Sequence, residues 1–504
     1  MHTPVDTAGT SGTLCGLAYP YQRGYAQQQG QALSPPHGEV FDEIYFADFA
    51  HDDLTGTYYF DPEPPLAKLI IASGEWLYGW WRQNLEGAHG RPADLGFVPF
   101  GWRLMPSIFG TLCVPLMYLL ALRLYRSRLF ALAAATLTCF DGMFFIQSRI
   151  GMIDIFAIFF ILLAYWAFHL HLESPTPRSS YASLVLTGVV VGLAIATKWI
   201  GLAALATMLF VLLMRALRRV LDVRIETAGG VWAWGRGERL KTPALPGWAD
   251  AAVYLPLAAV SFFLIPAVIY VASYWPDFFQ HGYFKSLGDL WSYNVSAYVY
   301  HATLKAGHPY GSPWYTWPFL ARPVAYYYES SGLGTDAVSG QTLVAGMANL
   351  GNPWIWWTSV PCLLLMPYWA IRYKSYPAAL ISLGYLTQYL PWIPISRVLF
   401  LYHYFGPLIF AVLALALVLA AIAESGLAVN LESIRLQAGR ALLFGHLAVT
   451  VLFFVYFYPV WTGLPVGQTD YLGGFGKGRM WFQDCWATQI NSQGVPTRPE
   501  LCWI

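Results

Sequence analysis

The sequence predicts an all-α, polytopic membrane protein, and three observations lead there. The 504 residues are 57% hydrophobic and only 11% charged, which is more apolar surface than one water-soluble core buries. Apolar stretches of about 20 residues, the length that crosses a bilayer as a helix, recur along the chain. Lysine and arginine gather in alternate connecting loops.

Residues 1–40 are polar and rich in Gly, Gln and Pro, and contain neither a spanning stretch nor the apolar centre of a signal peptide. They are expected to be disordered. Residues 41–103 form a first loop in which Phe41-Asp42-Glu43 and Phe60-Asp61-Pro62-Glu63-Pro64-Pro65 concentrate carboxylates. Pro65 suits the first position of a helix, and Leu66, Leu69, Ile70, Trp76, Leu77 and Trp80 make that helix amphipathic, as at a membrane surface.

Expected spans follow at 104–122, 129–147, 150–170, 182–198, 199–214, 251–273, 354–371, 377–395, 399–423 and 441–462, about ten in all. Arg123, Arg126 and Arg128, a cluster within 215–250 from Arg215 to Lys241, Arg372 with Lys374, and Arg435 with Arg440 mark the cytoplasmic loops. The acidic loop, the junctions near 149, 198 and 397, the segment 274–353 and the tail 464–504 then share the outer face. Segment 274–353 is rich in Trp and Tyr and is expected to fold against the membrane.

A net charge of +1 argues against a nucleic-acid partner. The six cysteines show no metal-ligand spacing, and Cys485 with Cys502 in the outer tail is expected to form a disulfide. His301, His308 and His403 suit packing or substrate contact rather than a metal pair.

Asp42 allows two readings, a cap for a helix over 43–54 or a general base for an incoming hydroxyl. Glu43 reads either as a charge favourable to that helix's dipole or as a second site carboxylate, and Asp61 as a turn former or an acidic site residue. Arg149, Lys198 and Arg397 sit at the outer ends of spans and together are expected to grip a lipid-linked phosphate, although each alone reads equally as an interfacial anchor. Asp154, one turn after Arg149 in an apolar stretch, is expected to be paired, with the arginine as the nearest partner in sequence.

These motifs, with Ser148-Arg149-Ile150-Gly151-Met152-Ile153-Asp154, Ala196-Thr197-Lys198-Trp199, His308-Pro309-Tyr310 and Phe400-Leu401-Tyr402-His403-Tyr404-Phe405, resemble in order those of the protein O-mannosyltransferases, integral-membrane enzymes of the GT-C class. The resemblance covers about 40–486. It implies a GT-C-type helical bundle that transfers mannose, with inversion, from a polyprenyl-phosphate carrier to Ser or Thr hydroxyls of exported polypeptides at the outer face of the cell membrane. Asp42 would be the base, Glu43 an orienting neighbour and Asp61 a further acidic residue; Arg149, Lys198 and Arg397 would hold donor phosphate, supported by Asp154 and His403. No metal or cofactor is expected beyond the lipid-linked donor. A lipid A or wall-polymer acceptor is the alternative within the class, and a transporter or flippase the alternative outside it.

Two departures stand out. Glu63 occupies a position where the family usually has histidine, and the family's span before the acidic loop is missing, so a truncated or misplaced start is expected. The segment 274–353 is too short for the luminal insert of eukaryotic relatives, which favours a bacterial type.

Overall fold

The structure is a computed structural model that describes residues 38–220, 248–305, 307–431, 434–482 and 503. The start expected to be disordered, most of the loop at 215–250 expected to be cytoplasmic, and the expected Cys485–Cys502 pair lie outside the described residues.

The chain runs α1 (Glu43–Thr55), α2 (Leu66–Leu85), α3 (Pro92–Gly96), α4 (Pro99–Tyr125), α5 (Arg128–Cys139), α6 (Gly142–Gln147), α7 (Asp154–Leu172), α8 (Pro177–Thr197), α9 (Gly201–Val220), α10 (Trp248–Ala259), α11 (Ile265–Ser273) and α12 (Leu287–Thr303). Strands β1 (Val324–Glu329) and β2 (Leu343–Asn349) lead to α13 (Pro353–Arg372), α14 (Tyr376–Tyr389) and α15 (Phe405–Glu424). A short hairpin of β3 (Val429–Leu431) and β4 (Ile434–Leu436), then α16 (Ala438–Thr462), β5 (Val466–Gly467) and α17 (Gln468–Leu472) complete it.

Each expected span corresponds to a helix or a helix pair. Among the described residues six helical segments are long and apolar enough to cross a membrane: Pro99–Tyr125, Asp154–Leu172, Pro177–Thr197, Val253–Ser273, Leu401–Glu424 and Ala438–Thr462. Leu401–Glu424 is the central one, with 89% of its apolar window buried against 17% for Val253–Ser273 and for Ala438–Thr462. Its run Ala-Leu-Ala-Leu-Val-Leu-Ala-Ala is apolar all round, the pattern of a helix enclosed by others, and its alanines let α5, α13, α14 and α16 approach closely.

The expected span at 129–147 is broken instead into α5 and α6. Asp141 causes the break: its buried Oδ1 accepts the Met143 and Phe144 N–H groups, capping α6, while Oδ2 accepts Asn352 N–H and Trp356 Nε1–H. Asn352 caps α13 through Trp354 N–H and donates to Phe140 and Thr450 carbonyls. A polar node thus pins three elements inside an apolar bundle, where unpaired backbone groups are most costly.

α2 is amphipathic in an inverted sense. Lys68 and Glu75 are fully buried against the protein, whereas Trp76, Leu77, Trp80, Trp81 and Leu85 are exposed. That order suits a helix bordered by lipid.

Besides the β3–β4 hairpin, the helical architecture carries a three-stranded antiparallel sheet, ordered β1-β2-β5, that the sequence reading did not foresee. β1 pairs Val324 with Asn349 and Glu329 with Ala345, and its register shifts between Ala325 and Tyr327, so Tyr326 is the extra residue of a bulge. Bulges re-aim side chains, and this one turns Tyr326 into the interior beside the acidic loop.

Candidate active site

The sequence folds five segments onto one end of the bundle: the N-terminus of α1, the turn 148–153, the start of α7 with the end of α8, the stretch 397–404, and the sheet. Phe41 turns the chain into α1 with a left-handed backbone, φ 51°, which is strained for a non-glycine residue. Its ring is held on both sides, stacked on Tyr326 at 4.5 Å and edge-on to Tyr402 at 6.2 Å between centroids. The strained turn fixes where the next residue points.

That residue is Asp42. A helix does start at Glu43 as the capping reading expected, but the Asp42 side chain makes no capping hydrogen bond. Its carboxyl is pushed up to about 7, first by burial and then by the charge of Asp154, against the pull of Lys198.

Glu43 is placed differently. It is fully buried, and its two oxygens accept Arg103 Nε–H at 2.7 Å, Arg103 Nη2–H at 2.6 Å, Gly151 N–H at 2.6 Å and Val40 N–H at 2.9 Å. These bonds tie the acidic loop to α4 and to the turn 148–153. Arg103 escaped the sequence reading because it lies at the start of an apolar helix, sixty residues from its partner.

Asp61 is likewise engaged. One oxygen pairs with the fully buried Lys68 ammonium and the other accepts Glu63 N–H at 3.1 Å. Lys68 also donates to the carbonyls of Glu63 at 2.8 Å and Pro64 at 3.2 Å, so the pair is the staple of the proline-rich turn. Tyr293 of α12 closes it, its hydroxyl accepting Asp61 N–H at 2.9 Å and donating to Asp61 O at 2.8 Å.

The expected trio of cations does not converge as drawn. Lys198 Nζ donates to Asp154 Oδ1 at 2.8 Å and lies 5.9 Å from the Tyr402 ring centroid, with Glu63 and Arg397 close enough to act on it electrostatically. Arg149 instead donates to Trp461 O at 3.0 Å and lies over the Phe145 ring at 5.5 Å. Asp154 therefore partners Lys198, not Arg149. The reason is geometric: the non-helical stretch 148–153 separates Arg149 from Asp154 at the start of α7, so the two are not on one helix face and meet different neighbours.

His403 packs at the back of the site, its Nδ1 next to Phe400 N at 3.1 Å and its ring stacked on Tyr402 at 4.7 Å and Trp317 at 5.9 Å. His301 lies beside the Pro62 backbone and edge-on to Trp199. Among the described residues no group of three or more His, Cys, Asp or Glu side chains is placed to hold a metal ion. The arrangement is a carboxyl raised to about 7 within electrostatic reach of Lys198, which in turn feels the charge of Arg397. It suits removal of a hydroxyl proton beside a departing anion.

Comparison with known proteins gives the family. Residues 31–281 match the family described as dolichyl-phosphate-mannose-protein mannosyltransferase, and residues 286–483 match the C-terminal four-TMM region of protein-O-mannosyltransferase. The chain belongs to the protein O-mannosyltransferase family. Relatives include the polyprenol-phosphate-mannose--protein mannosyltransferases of Mycolicibacterium smegmatis, 27% identical over 86% of each chain, and of Mycobacterium tuberculosis, 28% identical over 85% of this chain and 84% of that one. The fold is similar to the S. cerevisiae protein O-mannosyltransferase Pmt1-Pmt2 complex bound to the sugar donor, with TM-score 0.67 and 15% identity over 85% of this chain and 87% of that one. This protein O-mannosyltransferase is thus a GT-C membrane enzyme; in its acidic loop the Glu43 and Asp61 carboxylates are hydrogen-bonded, whereas Asp42 makes no capping bond.

Proposed function

We propose that this chain is an inverting glycosyltransferase of the cell membrane that moves mannose from a polyprenyl-phosphate carrier to Ser or Thr hydroxyls of exported polypeptides, at the extracytoplasmic face. The placement of Arg123, Arg126, Arg128, Arg372 and Lys374 at the opposite ends of the helices from Asp42 supports that orientation. The observation that carries the reading is the Asp42 carboxyl, unbonded by its own helix and held near neutrality opposite Lys198.

In this reading Asp42 accepts the acceptor hydroxyl's proton as that oxygen bonds to the anomeric carbon. The bond from that carbon to phosphate oxygen breaks on the other face, and its electron pair leaves with the phosphate. Lys198 and Arg397 offset the negative charge that builds there, and a fixed donor of this kind contributes about 10²–10³ in rate. Glu43 and Asp61 act as positioning residues through Arg103, Gly151 and Lys68. Asp154 orients Lys198, and His403 packs behind Tyr402. Arg149 ties the turn 148–153 to the end of α16 rather than completing a phosphate grip. The carrier supplies the leaving group, so no cofactor or metal is assigned a step.

The test is transfer of labelled mannose from polyprenyl-phosphate-mannose to a Ser/Thr-rich peptide, by membranes carrying this chain or its Asp42→Asn variant at equal abundance. Loss of transfer in the variant is expected. Undiminished transfer removes Asp42 as the base, and transfer only to a lipid or polymer acceptor overturns the protein acceptor.

A further inference from the structure

Beside Asp42 lies a cluster of neutral polar side chains that the reaction above does not use. Gln147 closes α6 and Asn349 closes β2, both fully buried, and Tyr326 reaches them from the β1 bulge. Gln147 Nε2 and Asn349 Nδ2 both donate to Tyr326 Oη, each at 2.9 Å. A phenol oxygen accepts through two lone pairs, so these bonds fill its accepting capacity and its own O–H must reach a third group. Gln147 Oε1 and Asn349 Oδ1 are buried without a hydrogen-bond partner among the described residues. Turning either amide over moves the surplus without removing it, because the tyrosine O–H then meets a carbonyl and an NH₂ is stranded instead.

Buried polar atoms in folded proteins are nearly always paired, so a group of them left open on two different elements asks for a partner from outside the chain. The position says which partner. Tyr326 stacks on Phe41, the residue preceding Asp42, and its hydroxyl feels the charges of both Asp42 and Asp154. These uncharged acceptors and donors match a polyol, whose hydroxyls each donate and accept. Whichever way the amides are turned, at least one carbonyl oxygen lacks a donor, and a phosphate, which offers only acceptors, does not supply one.

We propose that Gln147, Asn349 and Tyr326 form the subsite that receives the hydroxyls of the transferred hexose and sets which sugar is accepted from the carrier. This rests on the donor reading given above. It separates recognition of the sugar from recognition of the phosphate, which falls to Lys198 and Arg397.

The experiment compares binding of polyprenyl-phosphate-mannose, polyprenyl-phosphate-glucose and sugar-free polyprenyl phosphate to purified wild-type protein and to Gln147→Leu, Asn349→Leu and Tyr326→Phe. Each variant is expected to bind the mannosyl carrier at least about tenfold more weakly, to lose discrimination between mannosyl and glucosyl carriers, and to bind sugar-free carrier as the wild type does. The sugar-free carrier serves as the check on folding. Equal weakening toward all three carriers means a structural role and overturns the subsite, as does unchanged affinity for the mannosyl carrier. Wild-type protein that binds mannosyl and sugar-free carrier equally overturns the subsite alone, whereas wild-type protein that binds neither overturns the donor reading beneath it.

Discussion

Lys198 Nζ donates to Asp154 Oδ1 at 2.8 Å, and so joins the end of α8 to the start of α7 at the mouth of the site. Both side chains are largely shielded, at 13% and 9% exposure, so the pair is weakly screened by solvent. If the lysine stabilises a leaving phosphate, Lys198→Met lowers the single-turnover rate by about 10²–10³ while sugar-free carrier still binds, more weakly. Asp154→Asn frees the ammonium from its tether and costs less, about tenfold. The double variant then falls no further than Lys198→Met alone, because the aspartate acts only through the lysine. Additive losses would give Asp154 a role of its own.

The Asp42 carboxyl, raised to about 7 chiefly by burial, predicts a pH profile. A base works only when deprotonated, so kcat/KM should climb about tenfold per pH unit below 7 and level off above it. Stability runs the other way. A carboxyl raised from 3.8 to about 7 on folding favours the folded state fully below pH 4, and that contribution is lost as pH rises through 7. Asp42→Asn, which never ionises, should therefore be inactive yet melt at a higher temperature than the wild type at pH 8, and the gap should narrow by pH 5. Thermal unfolding in detergent at the two pH values checks the sign.

Much of this was legible in the sequence. The apolar segments all became helices because runs such as those of α7 and α15 leave no other way to satisfy the backbone in lipid. The helix that starts at Glu43 was legible too, while the Asp42 side chain does not cap it. What was not legible depended on distant partners. Glu43 meets Arg103 sixty residues away, and Gln147 and Asn349 meet at Tyr326 only because β1 pairs with β2. Asp154 was expected to pair with its neighbour in sequence, and the turn at 148–153 gave it Lys198 instead. The stretch 129–147 read as one span, whereas the four hydrogen bonds of Asp141 divide it in two.

Asp61 and Lys68 make a buried ion pair, with side-chain exposures of 6% and 0%. Removing one partner of such a pair leaves a lone buried charge and costs about 3–5 kcal/mol, while replacing both by apolar residues of similar size is often neutral. Lys68→Met is therefore expected to lower the unfolding temperature sharply, and Asp61→Leu with Lys68→Met to recover much of it. Transfer activity separates the roles: a double variant that is stable and active confirms Asp61 as a positioning residue, and one that is stable but inactive returns it to the chemistry.

The polar node at Asp141 makes a claim about the scaffold alone. Its carboxylate accepts Met143 N–H at 2.9 Å, Phe144 N–H at 3.2 Å, Asn352 N–H at 3.2 Å and Trp356 Nε1–H at 2.8 Å, with no exposure to water. Asp141→Ala strands all four donors, and one buried unpaired group costs about 1–3 kcal/mol, so even partial relaxation leaves a loss of several kcal/mol. Asp141→Asn keeps one carbonyl oxygen but turns an NH₂ toward a donor, and should fall between. The neighbouring Gly142→Ala gives an independent measure of the same packing: its Cβ would lie 2.2 Å from Trp461 Cε2 and 2.3 Å from Leu350 O, too close for either to stay in place. Unfolding temperatures in detergent should rank wild type above Asn and Asn above Ala, with Gly142→Ala also well below wild type. An alanine at 141 that melts with the wild type would mean the break between α5 and α6 is held by the surrounding helices and not by the carboxylate.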